Sequence, residues 1–189
     1  METPHKKEEN FFKEILKASL IALIIVIPIR FYVAQPFIVS GASMSPAFES
    51  GNYLVVDQLS YRFEEPERGD VIVFKYPRDT SKFFIKRIIG LPGETLKFTA
   101  GALTIANSTY PNGFVFEEPY VAEGGQVSSS FSVSLGDDEY FVMGDNRSQS
   151  SDSRLWGPLQ RNLIVGRAFF RIFPIRKASV LPGSYNSIL

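Results

Sequence analysis

The 189-residue chain contains no cysteine. Disulfides, thiolate catalysis and cysteine-ligated zinc are therefore excluded. It contains one histidine, His5, in a polar N-terminal tail. A Ser-His-Asp triad and most zinc hydrolase sites need a histidine near the chemistry, so a hydrolase built on this chain must find another base. There is no net charge, with 20 Lys and Arg against 20 Asp and Glu. No basic field points to nucleic acid as a partner. No P-loop, G-x-S-x-G, H-E-x-x-H, S-x-x-K or K-T-G occurs, which removes the nucleotide-binding, α/β-hydrolase, zincin and penicillin-binding patterns. No repeat of 20–50 residues is present, and no helical period is visible beyond residue 40.

What is present begins with an apolar run, "ASLIALIIVIPI" at 18–29. Alone it is short for a membrane span. Lys13 and Lys17 before it and Arg30 after it can snorkel to two interfaces. From Lys13 to Arg30 a helix covers about 25–27 Å at about 1.5 Å per residue, near the bilayer's apolar thickness. Phe31 and Tyr32 stand where an aromatic belt belongs. Bulky Tyr32 sits where signal cleavage before Ala34 would want a small residue, so the expectation is an uncleaved anchor over 13–31. Lys6, Lys7, Lys13 and Lys17 precede the run, which places the 1–12 tail in the cytoplasm and the body outside the cytoplasmic membrane.

The body reads as short strands: "YLVVDQL", "DVIVFKY", "FFIKRII", "TLKF", "ALTI", "SFSVSL", "EYFVMG" and "LIVGRAFFRIF", punctuated by "ESGN", "ERGD", "LPGE" and "YPNG". The fold class expected is mainly β, an antiparallel catalytic core over 32–96 and 138–175. A Gly/Ser/Thr/Asn-rich β-hairpin-like insertion covers 97–137, with the acidic "FEEPYVAEGGQ" inside it. Residues 176–189 read as a tail.

Three segments carry candidate chemistry. In "SGASMSPAF", small residues around Ser43 let a substrate backbone approach, and Pro46 stiffens the turn. Such composition is more often an ordinary loop. In "FFIKRIIGLPGE" strand alternation puts Lys86 on one face with Phe84 and Ile88. The common meaning is a lysine snorkelling to water. Where no histidine is available, a lysine desolvated by such neighbours can instead serve as the base for a serine. A third segment, "GDNRSQSSDSR", has the composition of a solvated loop or of a polar clamp. As a clamp, Ser150 can hold the lysine amine and Asp152 can pair with Arg154.

In order behind the anchor, "SGASMSP", "ERGDVIVF", "FIKRIIGLPGE" and "GDNRSQSSDSR" resemble the four boxes of bacterial type I signal peptidase, the leader peptidase family of membrane-bound Ser/Lys proteases. The resemblance spans the anchor and most of residues 30–173. It implies Ser43 as nucleophile, Lys86 as general base and Ser150 as the residue orienting that lysine. Arg87, Asp145, Asp152 and Arg154 match supporting salt-bridge positions. Phe37, Val39, Met44, Phe48, Phe84 and Ile85 match pocket-lining positions. Substrates are then secretory preproteins with small residues at −1 and −3, the other partner is the lipid bilayer, and no metal or cofactor takes part. Two positions depart from the family pattern: Ala47 follows the box proline, and Gly41 stands where some members carry an oxyanion-assisting serine, with Ser40 one residue back. Backbone N–H groups, including that of Ser43, are left to form the oxyanion hole. A self-cleaving cytosolic regulator shares the Ser-Lys chemistry but not the anchor. A tethered, non-enzymatic β domain has no reason to keep Ser43, Lys86 and Ser150 together.

Overall fold

A computed structural model describes residues 4–28, 34–121, 125 and 127–184. Helix α1 runs Pro4–Pro28. The strands are β1 (Ala34–Ile38), β2 (Tyr53–Asp57), β3 (Val71–Tyr76), β4 (Asp79–Gly90), β5 (Thr95–Thr99), β6 (Ala102–Ala106), β7 (Phe114–Phe116), β8 (Phe131–Ser134), β9 (Glu139–Met143), β10 (Leu159–Gln160), β11 (Ile164–Phe173) and β12 (Ser179–Val180). One helical turn, α2 (Ser153–Trp156), precedes β10. The strands form two antiparallel sheets, as the alternating runs and turns require. The larger has the order β1-β2-β11-β3-β4-β9-β10 with β12 on β11, and the smaller is β7-β6-β5-β8.

The burial patterns explain which strands are central. In β3 Val71 to Phe74 are all buried, and so are Tyr140 to Met143 in β9. Both strands are covered on two faces. In β5 and β6 burial alternates residue by residue, the mark of a sheet with one wet face. Strand β4 is long enough to do both. Its first half is largely exposed and its second half, from Lys86 to Gly90, is buried.

Alternation along β4 distributes its side chains among three apolar clusters. Ile85 packs with Val39, Met44, Phe48, Leu54 and Val71. Ile88 joins Ile72, Phe74, Tyr140 and Val142. Ile89 joins Leu96, Phe98, Ile105 and Phe141, the cluster that glues the two sheets together. Each such aliphatic side chain contributes about 1.5–3 kcal/mol by leaving water, so β4 is the strand common to every core of the body.

Strand β1 is absent from the sequence-based strand pattern because Pro36 interrupts "AQPFI". It is tolerated because β1 is the sheet's edge and pairs only with β2. The expected insertion at 97–137 overlaps the smaller sheet, whose first strand begins at Thr95.

The anchor expectation is met in part. The helix exists, but among the described residues no helix is long and apolar enough to cross a membrane. Lys13, Glu14 and Lys17 lie within α1, ahead of the apolar run that begins at residue 18. Arg30, Phe31 and Tyr32 lie outside the described residues, as do the last five residues of the expected C-terminal tail, 185–189. The described side chains of α1 are all exposed, Phe12, Leu16 and Ile24 among them.

The neighbour of Lys86 on β4, Arg87, is 1% exposed and forks onto Asp145, with Nε to Oδ1 at 2.8 Å and Nη2 to Oδ2 at 2.6 Å. Removing one partner of a buried ion pair strands the other in low dielectric, at a cost of about 3–5 kcal/mol. Asp145→Ala is expected to lower unfolding free energy by about that amount in urea denaturation; a loss under about 1 kcal/mol would show that Arg87 finds water instead.

Candidate active site

The loop between β1 and β2 carries Ser43. Its base is closed by Val39 N–H to Asn52 O and Gly51 N–H to Val39 O, both at 2.9 Å. Gly41 turns the chain with φ +94°, a region that side-chain-bearing residues avoid. Met44 and Phe48, four apart in a helical turn (Phe48 N–H to Met44 O, 2.8 Å), point down into the core. That grip leaves Ser43 at the top of the loop, half-buried.

Strand β4 brings Lys86 to the same place. Lys86 is 4% exposed. Its Nζ donates to Ser43 Oγ at 2.8 Å and to the carbonyl of Ile85 at 2.8 Å, and lies 5.3 Å from the Phe84 ring centroid. Burial pushes the amine down to about 8, against the opposing pull of the Asp152 and Asp145 carboxylates. The proton in the 2.8 Å contact can therefore run either way. The ammonium donates to Ser43, whereas the neutral amine has a lone pair to accept the serine proton.

The segment after β9 walls the site on the other side. Asn146 N–H donates to Ser43 O at 3.0 Å. Gly144 N–H donates to Asp152 Oδ2 at 3.1 Å, and Arg154 holds the same carboxylate through Nε and Nη2, both at 2.8 Å. Asp152 is fully buried and caps α2. Burial by itself would raise its carboxyl, but hydrogen bonds from Arg154, Ser150 and the Gly144 N–H and the charge of Arg154 bring it below its ordinary value. Ser150 thus stands close enough to favour the carboxylate, yet its buried Oγ makes no hydrogen bond of ordinary geometry among the described residues. The expected bond from Ser150 to the lysine amine is not formed in this structure.

A cleft of about 480 Å³ opens over the pair. Of the expected pocket residues, Phe37, Val39, Phe84 and Ile85 line it, whereas Met44 and Phe48 do not; they lie beneath it in the core. The residue type that suits an apolar pocket suits a core equally, so sequence alone could not separate the two. Ser40, Gly41 and Leu54 also line the cleft. Two strand edges border it. Strand β1 has a partner on one side only, and β9 pairs with β4 only from Arg87 onward. The rings of Phe37 and Phe83 approach across the gap at 5.3 Å.

Three contributors were not singled out by sequence reasoning. Arg147 sits inside the quoted "GDNRSQSSDSR" and bonds Gly144 O through Nε at 3.1 Å. Glu118 pairs with Arg147 across 29 residues of sequence. The ring of Tyr120 lies 4.2 Å from the Arg87 guanidinium. The acidic interruption around Glu118 was visible, but nothing local names its partner.

A serine hydrogen-bonded to a desolvated lysine, on an antiparallel β frame beside an open cleft, is an arrangement suited to Ser/Lys hydrolysis. Comparison with known proteins agrees. The model of the family described as signal peptidase, peptidase S26, matches residues 12–173. A probable signal peptidase I-1 of Synechocystis sp. is 38% identical over 186 residues, 95% of this chain and 91% of that one. A signal peptidase I of Bacillus amyloliquefaciens is 37% identical over 180 residues, 89% of each. The chain belongs to the signal peptidase family, peptidase S26, and is a serine endopeptidase. A crystal structure of a signal peptidase I from Enterococcus faecalis is 31% identical, with a TM-score of 0.46 over 55% of this chain and 97% of that one.

Gly144 is where the backbones of the two walls meet. A Cβ there would lie 2.4 Å from both Ser43 O and Ser150 Oγ. Overpacking of this kind costs about 1–3 kcal/mol. Gly144→Ala is expected to displace Ser43 from Lys86 and lower kcat/KM by about 10- to 100-fold. Peptide cleavage assays on the folded variant, with folding checked by circular dichroism, test this; an unchanged rate would show that the walls part without consequence.

Proposed function

We propose that this protein removes N-terminal signal peptides from secreted preproteins, with Ser43 as nucleophile and Lys86 as general base. The observation that carries the reading is the 2.8 Å contact between a buried amine and the Ser43 hydroxyl. Neutral Lys86 takes the Ser43 proton as Oγ attacks the scissile carbonyl. The resulting ammonium returns that proton to the leaving amine. Water, deprotonated by the same lysine, then releases the acyl group from Ser43. The backbone N–H of Ser43 serves the developing oxyanion. Arg87, Asp145, Asp152 and Arg154 hold the walls, and the carbonyl of Ile85, 2.8 Å from Nζ, supplies a second oxygen to aim the amine.

The substrate enters as an extended strand between the open edges of β1 and β4, where main-chain hydrogen bonds set its register. Phe37, Val39, Phe84 and Ile85 leave shallow apolar space, which favours small residues at −1 and −3.

The exposed apolar stretch of α1 supports a membrane anchor. A helix whose described apolar side chains are exposed needs a partner of its own polarity, and the lysines before residue 18 orient it with the N-terminus in the cytoplasm and the catalytic body outside.

Mass spectrometry of a model preprotein incubated with the purified chain in detergent tests the chemistry. The expected result is one cut after Ala at −1, none with Phe at −1, and none by Ser43→Ala or Lys86→Arg, since arginine keeps the charge but not the exchangeable proton. With the amine at about 8, kcat/KM should rise about tenfold per unit below pH 8 and level off above it. Stability runs with the same sign. The buried ammonium opposes folding fully below about pH 8, and the opposition fades as pH rises towards the unfolded value of 10.5. Substantial cleavage by Lys86→Arg would remove the lysine from the mechanism.

Protease added outside intact spheroplasts tests the topology. Residues 40–189 should be degraded while the N-terminal segment survives; full protection would place the site on the inner side.

A further inference from the structure

The loop after β7 belongs to the smaller sheet, and the proposed reaction has no use for it. Yet it reaches the catalytic wall. Glu118 forks onto Arg147, with Nη1 to Oε2 at 3.0 Å and Nη2 to Oε1. Their side chains are 12% and 2% exposed. Tyr120 donates its hydroxyl to Glu118 Oε1 at 3.1 Å, which braces the carboxylate from its own loop. Arg147 in turn bonds Gly144 O through Nε at 3.1 Å, and its carbonyl accepts from Arg154 Nη2 at 2.7 Å. Asn146, the residue before it, donates its N–H to Ser43 O at 3.0 Å.

We infer that Glu118 is a positioning residue for the Ser43–Lys86 pair, acting through Arg147 to fix the turn at 144–147 against the Ser43 backbone. The inference rests on the proposed Ser/Lys reaction. The physical reason is charge. Without the carboxylate, Arg147 is a buried cation whose fork points at nothing, and such a group relaxes by swinging towards water. Doing so releases Gly144 O and loosens the turn whose Asn146 N–H holds Ser43 O. The reacting oxygen then loses its alignment with the amine, and misalignment is read in kcat. Strand β1 and the Lys82 to Ile85 half of β4 line most of the cleft and make no hydrogen bond to Glu118 or Arg147, and the Arg87–Asp145 fork still ties the turn to β4, so KM is little affected.

A second buried pair separates positioning from mere stability. Glu94 and Arg68 meet at 2.6 Å, with side chains 5% and 11% exposed, also at the junction of the two sheets. Of their other side-chain hydrogen bonds, Arg68 donates to Ile89 O, and Glu94 accepts from Leu91 N–H and Asn107 Nδ2, none of them in the 144–154 segment.

The test uses the full chain in detergent micelles, with steady-state cleavage of a model preprotein and amide hydrogen exchange at Asn146. Glu118→Gln, nearly isosteric but uncharged, is expected to lower kcat about tenfold with KM within about twofold, and to speed exchange at Asn146. Glu118→Asp keeps the carboxylate and should restore most of kcat. Glu94→Gln should lower the melting temperature while kcat stays within about twofold of the parent. Parent-like kcat and Asn146 protection in Glu118→Gln would overturn the inference, and so would an equal loss of kcat in Glu94→Gln. A parent chain that cleaves nothing overturns the proposed function instead, and Asn146 exchange still decides whether Glu118 holds the turn.

Discussion

The fork between Arg87 and Asp145 is the constraint on which the rest of the site depends. It joins β4 to the residue two beyond the end of β9, just where the two strands part. Arg87 also donates to Gly69 O at 2.9 Å and to Gly183 O, and Tyr120 stacks on its guanidinium. Four segments distant in sequence are thereby pinned to one planar group, whose fixed donor geometry leaves few alternative arrangements. Because neighbouring strand residues face opposite ways, anchoring Arg87 on one face of β4 holds Lys86 on the other.

On that other face the electrostatics are arranged as a contest that burial wins. Asp152 and Asp145 favour the ammonium, and desolvation opposes it more strongly. Each of those carboxylates has its own arginine, Arg154 and Arg87. Paired charges exert a weaker net field than bare ones, so Lys86 loses solvent without gaining a full counter-ion. At about 8, roughly a tenth of the lysine is neutral at pH 7, against well under a thousandth for a solvated one. The residues that enclose the amine and hold it low, Phe84 and Ile85 among them, also wall the cleft.

Much of this was legible beforehand. The lack of usable histidine directed attention to a lysine base, and the run from Phe83 to Ile89 placed Lys86 among apolar neighbours. The Asp152–Arg154 pair was legible because two residues of separation leave few other options. Other features depend on more than local sequence. Met44 and Phe48 were assigned to the pocket, but an apolar residue near a nucleophile can point towards substrate or towards the core, and only closure of the loop over Leu54 and Val71 decides which. Strand β1 was hidden by a proline that an edge position forgives. The apolar run at 18–29 lies in α1 as far as Pro28, and among the described residues no helix is long and apolar enough to cross a membrane.

The sequence by itself determined the chemical identities at Ser43 and Lys86, the antiparallel β character of the body, and the facing of side chains along β4. These follow from residue type and from the two-residue period of an extended backbone, both local properties. Only the tertiary structure decided that Lys86 meets Ser43 at 2.8 Å across 43 residues of chain, that Ser150 stands beside Asp152 without bonding the amine, and that Glu118 reaches Arg147 from the other sheet. Such meetings depend on how separate segments fold back on one another, and no local period encodes the partner.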